Sequence, residues 1–366
     1  ALAGSAYDLT TETNGGKLNP FTPLDLILVG ITAIGALTWI INDPMSKVYE
    51  TNIFGNSTNA GYVILGCLSL FLFILFSRIL RYSSITRDRM LAVFIIAVFY
   101  MFFWASFEQA GGSMTIFAKD YMDRSLEGSS ALLFKIFNTL LTVVPLAIIT
   151  FVLWKLFTQT FTRFAIANIF LGTSFFIIWG IVVWMLINEF NQTNTEIAAT
   201  WFGILNSFFI IALGPLFSKI WESKYNPSAS IKYSVGLTFL GIGFLSLAYG
   251  SSDIPLGAKT AAVSIIWLVV AYLFHTLGEL CISPVGLSYV SKLVPARMIA
   301  VMFGIWYLAV AIGMKAAAKF GESIDRVADE KGISYFFWML ASIAFGAAIL
   351  AVISRPVIKK LMHGVR

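Results

Sequence analysis

Residues 264–290 read SIIWLVVAYLFHTLGELCISPVGLSYV, an apolar run of helical length with one carboxylate, Glu279, near its middle. About 20 helical residues cross a hydrocarbon core of about 30 Å, so the run reads as a membrane helix. A charge at the centre of such a helix costs on the order of 3 kcal/mol even on a lenient insertion scale, and it therefore faces a cavity, a partner charge or a pathway. Residues 91–117, LAVFIIAVFYMFFWASFEQAGGSMTIF, repeat the arrangement around Glu108, and no other acidic residue lies deep inside an apolar run. Two buried carboxylates frame the question of function.

Composition sets the class. Of 366 residues, 58% are hydrophobic and 12% charged, against roughly 25% charged in soluble proteins, and the mean hydropathy is +0.83. Ten segments are predicted to span: Leu24–Ile41, Tyr62–Leu80, Met90–Phe117, Leu132–Phe157, Phe164–Ile187, Trp201–Ile220, Ser234–Tyr249, Ala261–Ile282, Met298–Ala318 and Tyr335–Ile353. Their lengths are helical and lack the ten-residue alternation of barrel strands, so the predicted fold class is an all-α membrane bundle.

Basic residues orient the path. Arg78, Arg81, Arg87 and Arg89 follow the second segment, Lys155 and Arg163 the fourth, Lys219, Lys224 and Lys232 the sixth, Lys292 and Arg297 the eighth, and Arg355, Lys359, Lys360 and Arg366 the tenth. All fall on one side, while the opposite loops carry acids such as Asp43, Asp123, Glu189 and Asp253. The positive-inside rule then makes both termini cytoplasmic in a multi-pass protein of the cytoplasmic (inner) membrane. The net charge of +6 is this cytoplasmic excess and calls for no nucleic acid. Cys67 and Cys281 lie in different apolar segments, so neither a disulfide nor a metal cluster is expected.

The polar residues inside the segments point to a site. His275, Glu279 and Ser283 stand at i, i+4 and i+8 and share a helix face, with Pro284 beside them. A helix bent or opened next to an ionisable group is a common way for transporters to build a midplane site. Trp104 lies one turn before Glu108, Gln109 is adjacent, and Gly111 and Gly112 permit close backbone approach. A carboxyl that alternates between isolated burial and a basic partner couples protons. One histidine near a carboxylate is a poor metal site, so no metal is expected. The same polar residues also serve as interhelical glue in ordinary bundles.

The strings HTLGELCISPVGLS (275–288), KLVP (292–295) and MFGIWYL (302–308) resemble the tenth and eleventh helices of the proton-dependent oligopeptide transporters of the major facilitator superfamily. FFWASFEQ (102–109) is similar to their seventh helix and WFGILNSFFIIALGPLF (201–217) to their eighth. The resemblance implies proton-coupled symport of di- and tripeptides by alternating access, with protons as coupling ion, no cofactor and no enzymatic activity. It also implies that Glu108 is the acid linked to protonation, with Trp104 lining the cavity. Asn206 and Glu279 would hold the peptide amino terminus, Ser283 and Trp306 would line the cavity, and His275 and Gln109 would stand behind them. A carboxylate beside an amide oxygen suits an ammonium, which offers three donors and needs a compensating charge.

Residues 1–23 read as a polar tail or loop, 24–80 as the helix pair inserted between the family's two halves, and 81–366 as the carboxyl-terminal bundle. Residues 131–190 form an additional hairpin that matches nothing in the family. The E-x-x-E-R motif and the lysine of the family's first half do not occur, so the other six helices are expected in the same or a separate chain. Lys315, in IGMKAAAK (312–319), is likewise unaccounted for. Two other readings stay open: a non-transporting membrane subunit built on half a transporter fold, and a related transporter of a non-peptide substrate.

Overall fold

A computed structural model describes residues 21–192, 195–224, 226–294 and 298–365. Most of the expected tail, with Thr193, Asn194, Pro295, Arg297 and Arg366, lies outside the described residues. Among the described residues, ten helical stretches are long and apolar enough to cross a membrane, which bears out the all-α reading.

Two helices open the path, α1 (Pro23–Val48) and α2 (Ser57–Ile79). Thr22 caps α1 in a reciprocal box with Asp25, and the Asn56 side chain caps α2, its Oδ1 accepting from Asn59 N at 2.7 Å. Asp25 also binds Arg81 at 2.7 and 3.0 Å and Arg78 at 3.3 Å. The clasp fastens the basic end of the pair, whose outer faces are otherwise apolar and exposed.

The core gathers α3 (Ser84–Phe107), α8 (Ala229–Gly250), α9 (Ile266–Leu293), α10 (Ile299–Glu322) and α12 (Ile333–Ile353). Between α8 and α9 the backbones touch. A Cβ on Gly236 would lie 2.9 Å from the Gly278 carbonyl oxygen, and one on Gly278 would lie 2.7 Å from that of Gly236. Only glycines permit this approach, which sets α9 at the depth where its polar residues meet the neighbouring helices.

Between α3 and α8 come α4 (Ser113–Tyr121), α5 (Gly128–Thr160), α6 (Ala165–Asn191) and α7 (Gly203–Glu222). Strand β1 (Ser125–Leu126) enters α5, β2 (Thr195–Glu196) leaves α6, and their antiparallel pairing closes the hairpin's base. Trp179 Nε1 donates to Thr150 Oγ1 at 3.0 Å midway along the hairpin. Two short helices, α11 (Ile324–Lys331) and α13 (Arg355–Leu361), flank α12.

The structure corrects two boundaries. The expected segment Met90–Phe117 is two helices, α3 and α4, separated by a 3-10 turn over Glu108–Ala110 and by Gly111–Gly112. The expected segment from Ala261 begins only at Ile266, because residues 261–263 instead bond the end of α4. Ala261 N donates to Asp120 O at 3.2 Å and Val263 N to Tyr121 O at 2.9 Å. Of the bend or opening considered at Pro284, the structure shows no opening, since α9 runs through that proline to Leu293, and the break in helix falls beside Glu108.

Candidate functional site

The site grows from the broken helix. Two adjacent glycines weaken a helix by about 1 kcal/mol each relative to alanine, and the groups released by the break find side-chain partners. Gln109 Nε2 donates to the carbonyls of Ala105 at 3.2 Å and Ala317 at 3.1 Å, while Ser113 Oγ donates to Gln109 Oε1 at 2.6 Å. The Ala110 carbonyl accepts from Thr115 Oγ1 at 2.8 Å and from Tyr272 Oη at 3.3 Å. Gln109 thus pins the break to α10 while Tyr272 pins it to α9. A cavity of about 310 Å³ lies against it, lined by Phe107, Ala110, Gly111, Thr115, Thr200, Gly203, Asn206, Tyr272 and His275.

Across the cavity from the break, α7 and α9 meet through Asn206. Its Nδ2 donates to Glu279 Oε2 at 2.9 Å and to Thr276 Oγ1 at 3.2 Å. Thr276 in turn donates to the Tyr272 carbonyl at 2.8 Å, which fixes its hydroxyl as an acceptor for Asn206. This leaves Glu279 Oε1 and Asn206 Oδ1 unengaged, and among the described residues no cation pairs with Glu279. Two acceptors side by side, one charged, form a receptor for a cationic donor.

The aromatic residues form a second group around Tyr100. Its ring stacks on Trp306 at 4.4 Å and meets Trp104 edge-on at 5.9 Å. Its hydroxyl neighbours both indoles and Ser283, within the field of Glu279. Trp306 is 1% exposed. Its ring occupies the space a Cβ on Gly286 would fill, so the α9 glycine seats the α10 indole. Trp104 Nε1 is buried without a hydrogen-bond partner. Glu108 is half-buried in the 3-10 turn, next to the cavity-lining Phe107, and among the described residues its carboxylate has neither a cation nor a hydrogen-bond partner.

Of the residues singled out from sequence, Asn206 and His275 line the cavity, Glu279 reaches it through Asn206, and Trp104, Trp306 and Ser283 gather at Tyr100. His275 and Glu279 diverge. His275 packs into α8 against Gly243 and edge-on to Phe244 at 4.6 Å, neither ring nitrogen making a hydrogen bond of good geometry, whereas Glu279 turns to α7. Four residues advance a helix by about 400°, and the residual turn of about 40° separates two neighbouring grooves. Gln109 faces α10. Sequence reading missed Tyr100, Tyr272 and Thr276. The first carried a legible signal, four residues before Trp104 and eight before Glu108 on the same face. Among the described residues no group of three His, Cys, Asp or Glu stands close enough to hold a metal.

Comparison with known proteins places the chain among similar sequences and folds. Residues 181–320 match the POT family model. The chain is 29% identical over 340 residues to the peptide transporter YePEPT of Yersinia enterocolitica, covering 91% of the chain and 53% of that relative. It is 29% identical over 194 residues to a di-/tripeptide transporter of Lactococcus lactis, covering 50% of the chain and 38% of that relative. A crystal structure of the peptide transporter POT with sulfate superposes with a TM-score of 0.58 at 22% identity, over 95% of this chain and 57% of the other. The chain therefore spans about half the length of the first of these relatives and less of the second. Residues 181–320 are thus similar to the POT family model, and the chain shares the helical-bundle fold of that solved transporter.

Proposed function

We propose that the chain supplies the carboxyl-terminal half of a proton-coupled symporter of di- and tripeptides in the inner membrane, working by alternating access with a complementary six-helix half. The observation that carries this reading is the Asn206–Glu279 pair, whose free oxygens stand beside the cavity. A peptide's terminal ammonium brings three donors and the charge that Glu279 needs for compensation inside a membrane. Trp104, Trp306 and Ser283, drawn together by Tyr100, offer aromatic walls for side chains of varied size.

Glu108 is the proton carrier of this proposal. It sits at a helix break, without a fixed partner among the described residues. A carboxyl that meets a basic partner in one state and none in the other gains and loses a proton in each cycle. An inward proton supplies about 2.3 kcal/mol for each 100 mV, which drives accumulation without covalent chemistry. The bundle is thus read as a transporter and not as an enzyme, and no cofactor besides the proton is invoked.

Calorimetric binding of Ala-Ala and of N-acetyl-Ala-Ala to the complete transporter tests the amino-terminal receptor. Glu279→Gln keeps the shape and removes the charge, and loss of a buried charge-assisted contact is worth about 2–5 kcal/mol, so the free peptide should lose roughly thirtyfold or more in affinity and the acetylated one little. Equal effects on both would remove Glu279 from this role.

A further inference from the structure

Lys315 stands on α10, seven residues before the helix ends at Glu322, which puts its Cα about 10 Å inside that end. It is exposed, and among the described residues it makes no ion pair or hydrogen bond. Its neighbour Lys319 already holds Glu322 at 2.6 Å. Helical Cα–Cβ bonds tilt toward the N-terminus, so the Lys315 stem leads toward mid-membrane and away from the nearer surface. Reaching that surface by snorkelling works against this geometry. A lysine so placed faces water or an opposite charge.

The surroundings select between the two. Gly304, Tyr307, Ala311, Lys315, Ala318 and Glu322 are all exposed and run along one side of α10. The other side is committed: Trp306 stacks on Tyr100, Gly313 abuts the Met101 carbonyl and Ala317 accepts from Gln109. Gly304, Ala311 and Ala318 recur every seven residues, a spacing that lets a second helix lie close along its length. Lipid tails require no such groove, and they exclude an unpaired lysine.

We propose that this face of α10 docks an apolar transmembrane helix of the complementary half, and that a carboxylate on that helix pairs with Lys315. The inference rests on the reading that such a half exists, and charge complementarity chooses the occupant. A second copy of this chain fits poorly, because its two acids deep in apolar segments belong to the site proposed above, Glu279 beside Asn206 and Glu108 at the helix break.

Membranes holding the complete transporter, treated with a membrane-permeant carbodiimide that joins touching amines and carboxylates without a spacer, give the test by peptide mass spectrometry. The expected product links Lys315 to an Asp or Glu in an apolar segment outside residues 1–366. Lys315→Arg should abolish the cross-link yet keep the thermal midpoint of the solubilised protein, while Lys315→Met should lose the cross-link and lower the midpoint by several degrees. No cross-link in the parent, a link to an acid within residues 1–366, or a Lys315→Met midpoint equal to the parent's would overturn the proposal. Peptide uptake by the parent, measured on the same membranes, tests the transport reading separately, so the two fail independently.

Discussion

At the scale of single residues, Glu279 stood out because a carboxylate inside an apolar run has few stable surroundings, whereas Asn206 was singled out only through the family resemblance, and it is the structure that joins the two. Tyr100, Tyr272 and Thr276 were not picked out, since a tyrosine or threonine in a membrane helix is ordinary until its neighbours are known. Gly286 is a similar case. It reads as a small residue anywhere in α9, yet the Trp306 indole fills its missing side chain. Gly286→Ala should therefore destabilise the protein by about 1–3 kcal/mol through overpacking. Gly286→Ala combined with Trp306→Phe should recover much of that loss, since the benzo ring of the indole is what occupies the space. Thermal unfolding of the four proteins in the cycle measures the coupling, and additive losses would mean that Gly286 and Trp306 do not share this space.

At the scale of elements, the ten spans were legible because the bilayer fixes their length, while their interruptions were not. Gly111 and Gly112 permit a break as well as a close approach, and the choice depends on Gln109, Thr115 and Tyr272 supplying hydrogen bonds across it. The pairing of β1 with β2 involves two residues from each strand, too few for any periodicity to register. The α5–α6 hairpin meets the cavity wall at one point: Trp201 Nε1 donates at 3.0 Å to Asn138 Oδ1, whose Nδ2 donates at 2.8 Å to Glu189. Trp201 lies in the 3-10 turn Ala199–Phe202, between the lining residues Thr200 and Gly203. Trp201→Phe should then cost about 1 kcal/mol of stability for the lost hydrogen bond and raise the KM for peptide severalfold. Asn138→Leu should do the same, and the double variant should add little beyond either. Uptake kinetics that leave KM untouched in both variants would confine the hairpin to a purely structural role.

At the scale of the whole molecule, charge alternation and apolar content conveyed the membrane class, whereas what covers the exposed apolar faces of the described helices was not legible in them. The faces of α7 show this: none of its residues is buried, and Phe208, Ile211 and Leu216 stand exposed on a helix that also carries Asn206. In the alternating-access reading proposed above, such faces would lie against a second bundle that rocks around the site. That reading assigns substrate to Glu279 and Asn206 and the proton to Glu108, so it predicts that the two functions are separable by mutation. The most direct measurement is made on the complete transporter in proteoliposomes, comparing peptide counterflow with uptake driven by an inward pH gradient for the parent and Glu108→Gln. A permanently neutral side chain copies one protonation state and cannot cycle, so Glu108→Gln should retain counterflow and lose gradient-driven accumulation. Full gradient-driven accumulation by Glu108→Gln would contradict the account.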